Sequence, residues 1–118
     1  MREFSVTART LRFYETKGLL HPTRRGNRRV YSRHDRTRLK FVLLGKRAEF
    51  SLLEIKGLLD LHELKDDGAT QRRVALVKFR EQIHILEQQI AEKLQAVEEL
   101  KENCQSIERI QREHGETE

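Results

Sequence analysis

From about Thr70 to Arg112, apolar residues return every three or four positions: Leu76, Phe79, Ile83, Leu86, Ile90, Leu94, Val97, Leu100, Cys104 and Ile107. This spacing lays them along one stripe of a single long helix, with Glu, Gln, Lys and Arg between them. At 1.5 Å rise per residue such a helix is roughly 60 Å long. A lone helix of that length cannot bury its stripe, and the chain supplies no second long helix. The pattern therefore predicts a coiled coil, and a homodimer is the simplest partner arrangement.

Upstream, the pattern breaks into shorter pieces, separated from the long helix by the polar stretch Lys65-Asp66-Asp67-Gly68. Thr7 is placed to cap a first helix, with Val6 and Leu11 forming a hydrophobic staple and Gly18 ending it. Ser32 is placed to cap a second helix, with Asp35 three residues on and Leu39, Val42 and Leu43 on its apolar face. Ser51-Leu52-Leu53-Glu54 reads as a capping box, with Phe50 stapled to Ile55, opening a third helix through Leu58 and Leu59 to about Leu64. Between the first two helices, Gly26-Asn27 sits between short runs that read as a β-hairpin with a two-residue turn. Alone, such a hairpin is too short to be stable, so it must lean on the helices. The division expected is a head over residues 1–65, a coiled-coil helix over 69–112 and a flexible tail over 113–118.

Charge sharpens this division. The chain of 118 residues carries a formal net charge of +5. Residues 1–47 hold fourteen Lys or Arg against three acidic residues, whereas residues 48–118 hold ten basic and sixteen acidic ones. A basic head on an acidic tail points to a polyanion at one end, with nucleic acid first and a membrane surface second. No stretch approaches the roughly 18 continuous apolar residues of a membrane span, and the N-terminus lacks the apolar segment of a signal peptide. A cytoplasmic location follows by default. With one cysteine, an intramolecular disulfide is impossible.

The residue types then specify the polyanion. In the helix from Thr7 to Lys17, Arg9, Arg12 and Lys17 are suited to phosphates or base edges, and Tyr14 adds a hydroxyl. The hairpin carries Arg24, Arg25, Arg28 and Arg29, the chemistry of a wing that grips the phosphate backbone beside the groove. Taken alone, each feature reads equally as a solvated basic surface. Helix, wing and charge asymmetry together point to double-stranded DNA. The fold class expected is mostly α: a winged helix-turn-helix head with a short β-hairpin wing, followed by a long coiled-coil dimerisation helix.

Three blocks carry a family resemblance. The run from Val6 to Leu20 resembles the recognition-helix signature of the MerR family of bacterial regulators. Arg28-Arg29-Val30-Tyr31-Ser32 is similar to that family's wing, and Phe50 to Ile55 to the entry of its third helix. The resemblance covers residues 1–64 closely and the tail in architecture only. It implies an antiparallel coiled-coil dimer on a palindromic promoter element between overlong-spaced −35 and −10 boxes. There the family bends and untwists DNA for RNA polymerase, a deformation of order 1–6 kcal/mol offset by protein–DNA contacts. It further implies that Arg12 and Tyr14 lie at the backbone and groove, that Arg29 and Tyr31 are wing contacts, and that Thr7 and Arg9 lie nearest the bases. In the family the first helix begins about a dozen residues before the equivalent of Val6, so the resemblance implies a truncated first helix. Leu43-Leu44-Gly45-Lys46-Arg47 and Leu58-Leu59-Asp60-Leu61 look most like the branch that controls leucine, isovalerate and fatty-acid breakdown.

No cofactor is expected, and no metal site. Cys104 lies on the apolar stripe, where it reads as a small core hydrophobe, with a sensor thiol as the alternative. His21, His34 and His62 form no ligand spacing, His84 beside Ile83 reads as a solvated helix residue, and His114, ten residues after Cys104, would be a ligand only by chance. Only Gln111 to Glu118 follow the coiled coil, so no drug-binding domain is expected and any small-molecule effector is unidentified. An enzyme is not expected, because the sequence lacks a nucleophile–base pair, a phosphate loop and a metal cluster. The alternative to a promoter regulator is a non-specific DNA-binding coiled-coil adaptor or nucleoid-associated protein.

Overall fold

The computed structural model describes residues 4–61 and 66–116. In chain order they form α1 (Ala8–Thr16), β1 (Thr23–Arg25), β2 (Arg28–Val30), α2 (Arg33–Arg47), α3 (Leu52–Asp60) and α4 (Ala69–Glu113). The chain divides into two units between Lys78 and Phe79, so the first ten residues of α4 belong with the head. His62, Leu64 and Lys65 lie outside the described residues.

Each short helix starts where its side chains can satisfy the first free N–H groups. Thr7 accepts from the Thr10 N–H. Ser32 with Asp35, and Ser51 with Glu54, form reciprocal capping boxes. The bonds Glu54 accepts from Ser51 hold its carboxyl below the usual carboxylate range. At the start of α4, Asp66 accepts from both the N–H and the hydroxyl of Thr70, which lowers its carboxyl likewise.

Helices α1, α2 and α4 end in a shared way. After α1, the Gly18 N–H donates to the Glu15 carbonyl and the Leu19 N–H to the Tyr14 carbonyl, with Gly18 at φ +76°. This paired closure needs a left-handed residue, and glycine adopts that conformation without Cβ strain. The Lys56 side-chain end lies 2.9 Å from where a Cβ on Gly18 would stand but can move aside, so it is the φ that opposes a larger residue. After α2 the same closure is made by Glu49 at φ +67°, a non-glycine residue in a strained conformation. After α4, Gly115 repeats it, so His114 to Glu116 form a hydrogen-bonded cap.

The core of the head gathers Leu11, Tyr14, Leu19, Leu20, Leu39, Val42, Phe50, Ile55, Leu58 and Leu59. Helices α2 and α3 pack closely, because Gly45 on α2 leaves room for Ile55. A Cβ at Gly45 would stand 2.7 Å from two Ile55 carbons. Each buried Leu or Ile contributes roughly 1.5–3 kcal/mol relative to exposure.

Two charged residues share this core. Asp35 accepts from the His21 N–H at 2.9 Å as well as capping α2. Arg38, 3% exposed, donates through Nε to the Leu19 carbonyl at 2.8 Å and through Nη2 to the Gly18 carbonyl at 3.5 Å. Its guanidinium also lies 4.0 Å from Asp60 of α3. One buried arginine thus satisfies the carbonyls after α1 from α2, as burial of a charge requires.

The hairpin is antiparallel, pairing Thr23 with Val30, Arg24 with Arg29 and Arg25 with Arg28. Gly26 takes φ +62° in the turn while Asn27 has no positive φ, the pattern of a type II′ turn.

α4 contrasts with the three helices before it, since none of its 45 residues is buried. Leu76, Ile83, Ile90, Leu94, Val97, Leu100, Cys104 and Ile107 are exposed, and Phe79 and Leu86 are half-buried. Val77, Ile85 and Ile110 are exposed as well. No helix among the described residues is long and apolar enough to cross a membrane.

Candidate nucleic-acid interface

The outward face of α1 is set by its inward one. Leu11 and Tyr14 stand three residues apart and turn into the core, which leaves Arg9, Arg12, Phe13 and Lys17 outside. Thr7 is exposed at the cap, its hydroxyl 2.9 Å from that of Thr10. This arrangement turns the Tyr14 ring inward. At 7% exposure its ring is part of the core. The aromatic residue on the outer face is Phe13, 46% exposed, with the Lys17 ammonium 5.5 Å from its ring centre. The period set by Leu11 alone locates Phe13 there, because residues 11 and 14 cannot share a buried stripe with residue 13.

On the wing, Arg24, Arg25 and Arg28 are exposed. Arg29 is the exception. It is half-buried, its Nε 2.9 Å from Glu15 Oε2 and 3.3 Å from Oε1. The Tyr31 hydroxyl donates to Glu15 Oε2 at 3.3 Å. Burial and the neighbouring Glu15 carboxylate both push the Tyr31 hydroxyl above its usual pKa, so it stays protonated and able to donate. Between α1 and the wing lies a cleft of about 220 Å³ lined by Ala8, Leu11, Arg12, Arg29 and Tyr31. The structure therefore brings Arg12, Arg29 and Tyr31 to one place and leaves Arg24, Arg25 and Arg28 on the open hairpin.

Sequence reasoning did not single out Glu15 or Arg38. An acidic residue on a basic helix gives no local signal, and a lone arginine at mid-helix reads as surface until the chain end of α1 is folded against it.

Comparison with known proteins bears on this geometry. The model of the MerR HTH family regulatory proteins matches residues 1–61, and the MerR DNA-binding region matches residues 36–103. The chain belongs to the MerR family. A MerR-type relative, the HTH-type transcriptional regulator ZntR homolog of Haemophilus influenzae, is 32% identical over 84 residues, which make up 70% of this chain and 62% of that protein. The regulator HmrR of Rhizobium leguminosarum is 36% identical over 78 residues, 64% of this chain and 60% of its own. The mercuric resistance operon regulatory protein of Shigella flexneri is 45% identical over 65 residues, 53% of this chain and 42% of that one. The chain thus spans about 60% or less of the length of these relatives. Among solved structures, the regulator PbrR691 from Ralstonia metallidurans, in complex with lead(II), superposes with a TM-score of 0.56 at 26% identity, covering 89% of this chain and 78% of that one. The likeness agrees with the mostly helical architecture, the hairpin and the long final helix.

No group of three or more His, Cys, Asp or Glu among the described residues is arranged to hold a metal ion. Cys104 is exposed, as are the stripe residues on either side of it, Leu100 and Ile107.

Proposed function

We infer that this MerR-family protein is a sequence-specific transcriptional regulator, not an enzyme, which binds a palindromic promoter element as a homodimer. The observation that carries this reading is the cleft between α1 and the wing, where Arg12, Arg29 and Tyr31 converge beside the exposed Arg9 and Lys17. Such a surface suits a helix entering the major groove with a wing on the adjoining phosphates. Arg24, Arg25 and Arg28 extend it along the backbone.

The second half of the reading rests on α4. Its exposed stripe supports a coiled-coil partner, and a second copy of the chain matches the two-fold symmetry of a palindrome. RNA polymerase at the distorted promoter is the further partner, with the DNA between the −35 and −10 boxes as the element that changes shape. A cytoplasmic location goes with these partners. The relatives' names refer to mercury resistance and lead. For this chain no effector is assigned, and the leucine and isovalerate branch rests on similarity of two short blocks.

The test is a ratio. Duplexes selected by the protein from a randomised library are compared with scrambled duplexes of equal length at fixed salt. A regulator binds the selected duplex about 10³-fold or more tightly. A ratio near one would show a non-specific coiled-coil DNA binder instead.

A further inference from the structure

Glu15 is an acidic residue in the middle of the most basic surface of the molecule. On α1 its neighbours Arg9, Arg12 and Lys17 are exposed cations, and the wing opposite carries four arginines. Phosphates approaching this face would be repelled by a bare carboxylate there. Yet Glu15 is not bare. It is half-buried, and both of its oxygens are engaged by the wing: Oε1 and Oε2 by Arg29 Nε, and Oε2 also by the Tyr31 hydroxyl.

The geometry of Arg29 gives this a use. The contact with Glu15 runs through Nε, and no partner for the two Nη groups is found among the described residues. A guanidinium held by its Nε edge presents its other N–H groups in one fixed direction, suited to a bidentate phosphate contact. Arg29, Tyr31 and Arg12 line the same cleft. A two-stranded hairpin of three-residue strands has little to hold it in place alone, and side chains of this length lose rotamer freedom when they bind.

We propose that Glu15 is a positioning residue for DNA binding, a carboxylate that fastens the wing to the recognition helix and pre-orders Arg29 and Tyr31 so that they meet a phosphate already aligned. This rests on the DNA-binding reading above. It opposes the simple electrostatic expectation, in which removing a negative charge from a DNA-facing surface tightens binding.

The two accounts predict opposite signs for the same substitution. The full chain is titrated with the duplex it selects from a randomised library, and with a scrambled duplex, across a series of salt concentrations. Glu15→Ala weakens binding to the selected duplex about tenfold and lowers the salt slope by about one, as loss of one ordered phosphate contact would. Glu15→Gln keeps one acceptor oxygen and falls between wild type and Glu15→Ala. In an Arg29→Ala, Tyr31→Phe background, Glu15→Ala causes no further loss, a result that a general weakening of the fold would not give. Should Glu15→Ala fail to fold by circular dichroism, Glu15→Gln decides the matter by its sign against wild type. If the wild type binds specifically and either variant binds as tightly or more tightly, the role of Glu15 is overturned while the regulator reading stands. If the wild type shows no preference for any duplex, that reading fails and the role of Glu15 falls with it.

Discussion

The head and the long helix solve the same problem in opposite ways. In the head, short helices each bury a face, and ten large apolar residues, with Asp35 and Arg38, are buried among the described residues. In α4, ten large apolar residues from Leu76 to Ile110 stay exposed, although the helix is the longest element in the molecule. The difference teaches where specificity of association is stored. A head with its core closed leaves a polar surface open, which suits the DNA proposed above, whereas a helix with an open stripe leaves an apolar surface open, which suits the proposed partner helix.

The largest effect that would break this contrast is on the stripe. Ile90→Asp places a charge where the partner helix should pack, and the chain should become monomeric by sedimentation equilibrium at concentrations where wild type is dimeric. A dimeric variant would show that the stripe serves another contact. Next comes the closed core of the head. Gly45→Ala gains helix propensity but drives a methyl group into Ile55, which has no exposed surface into which to retreat. Overpacking should win, with a net loss of about 1–3 kcal/mol in urea unfolding. On the polar surface, Arg12→Ala should cost about tenfold in operator affinity at unchanged melting temperature, because Arg12 is exposed and the core does not depend on it. A large drop in melting temperature would make Arg12 structural instead. The smallest effect sharpens the view of how the head ends its helices. Glu49→Gly relieves a left-handed strain and should stabilise the protein by about 1 kcal/mol, readable as a shift in the urea midpoint.

How much of this was legible follows from the range over which each feature acts. Thr7, Ser32 and Ser51 announced their caps because a cap and its partner lie three residues apart. Gly18 and the Gly26 turn were readable because backbone conformation at φ > 0 is a local demand. The tail stripe was readable because helical spacing repeats over ten positions. The inward turn of the Tyr14 ring and the exposure of Phe13 do not show when the basic helix is read as a list of residue types. With Leu11 buried, helical spacing turns residue 14 inward and residue 13 outward.

The sequence by itself determined the element order, the helix starts, the hairpin register, the basic head and the stripe of α4, since all of these depend on periodicity, capping and charge within short spans. Only the tertiary structure decided which cations stay exposed. It buried Arg38 against the carbonyls of Gly18 and Leu19, fastened Arg29 and Tyr31 to Glu15, and left Arg9, Arg12 and Lys17 open. Those outcomes depend on pairs fourteen to twenty residues apart. A charge shows no preference for solvent or partner until folding brings that partner within hydrogen-bonding reach.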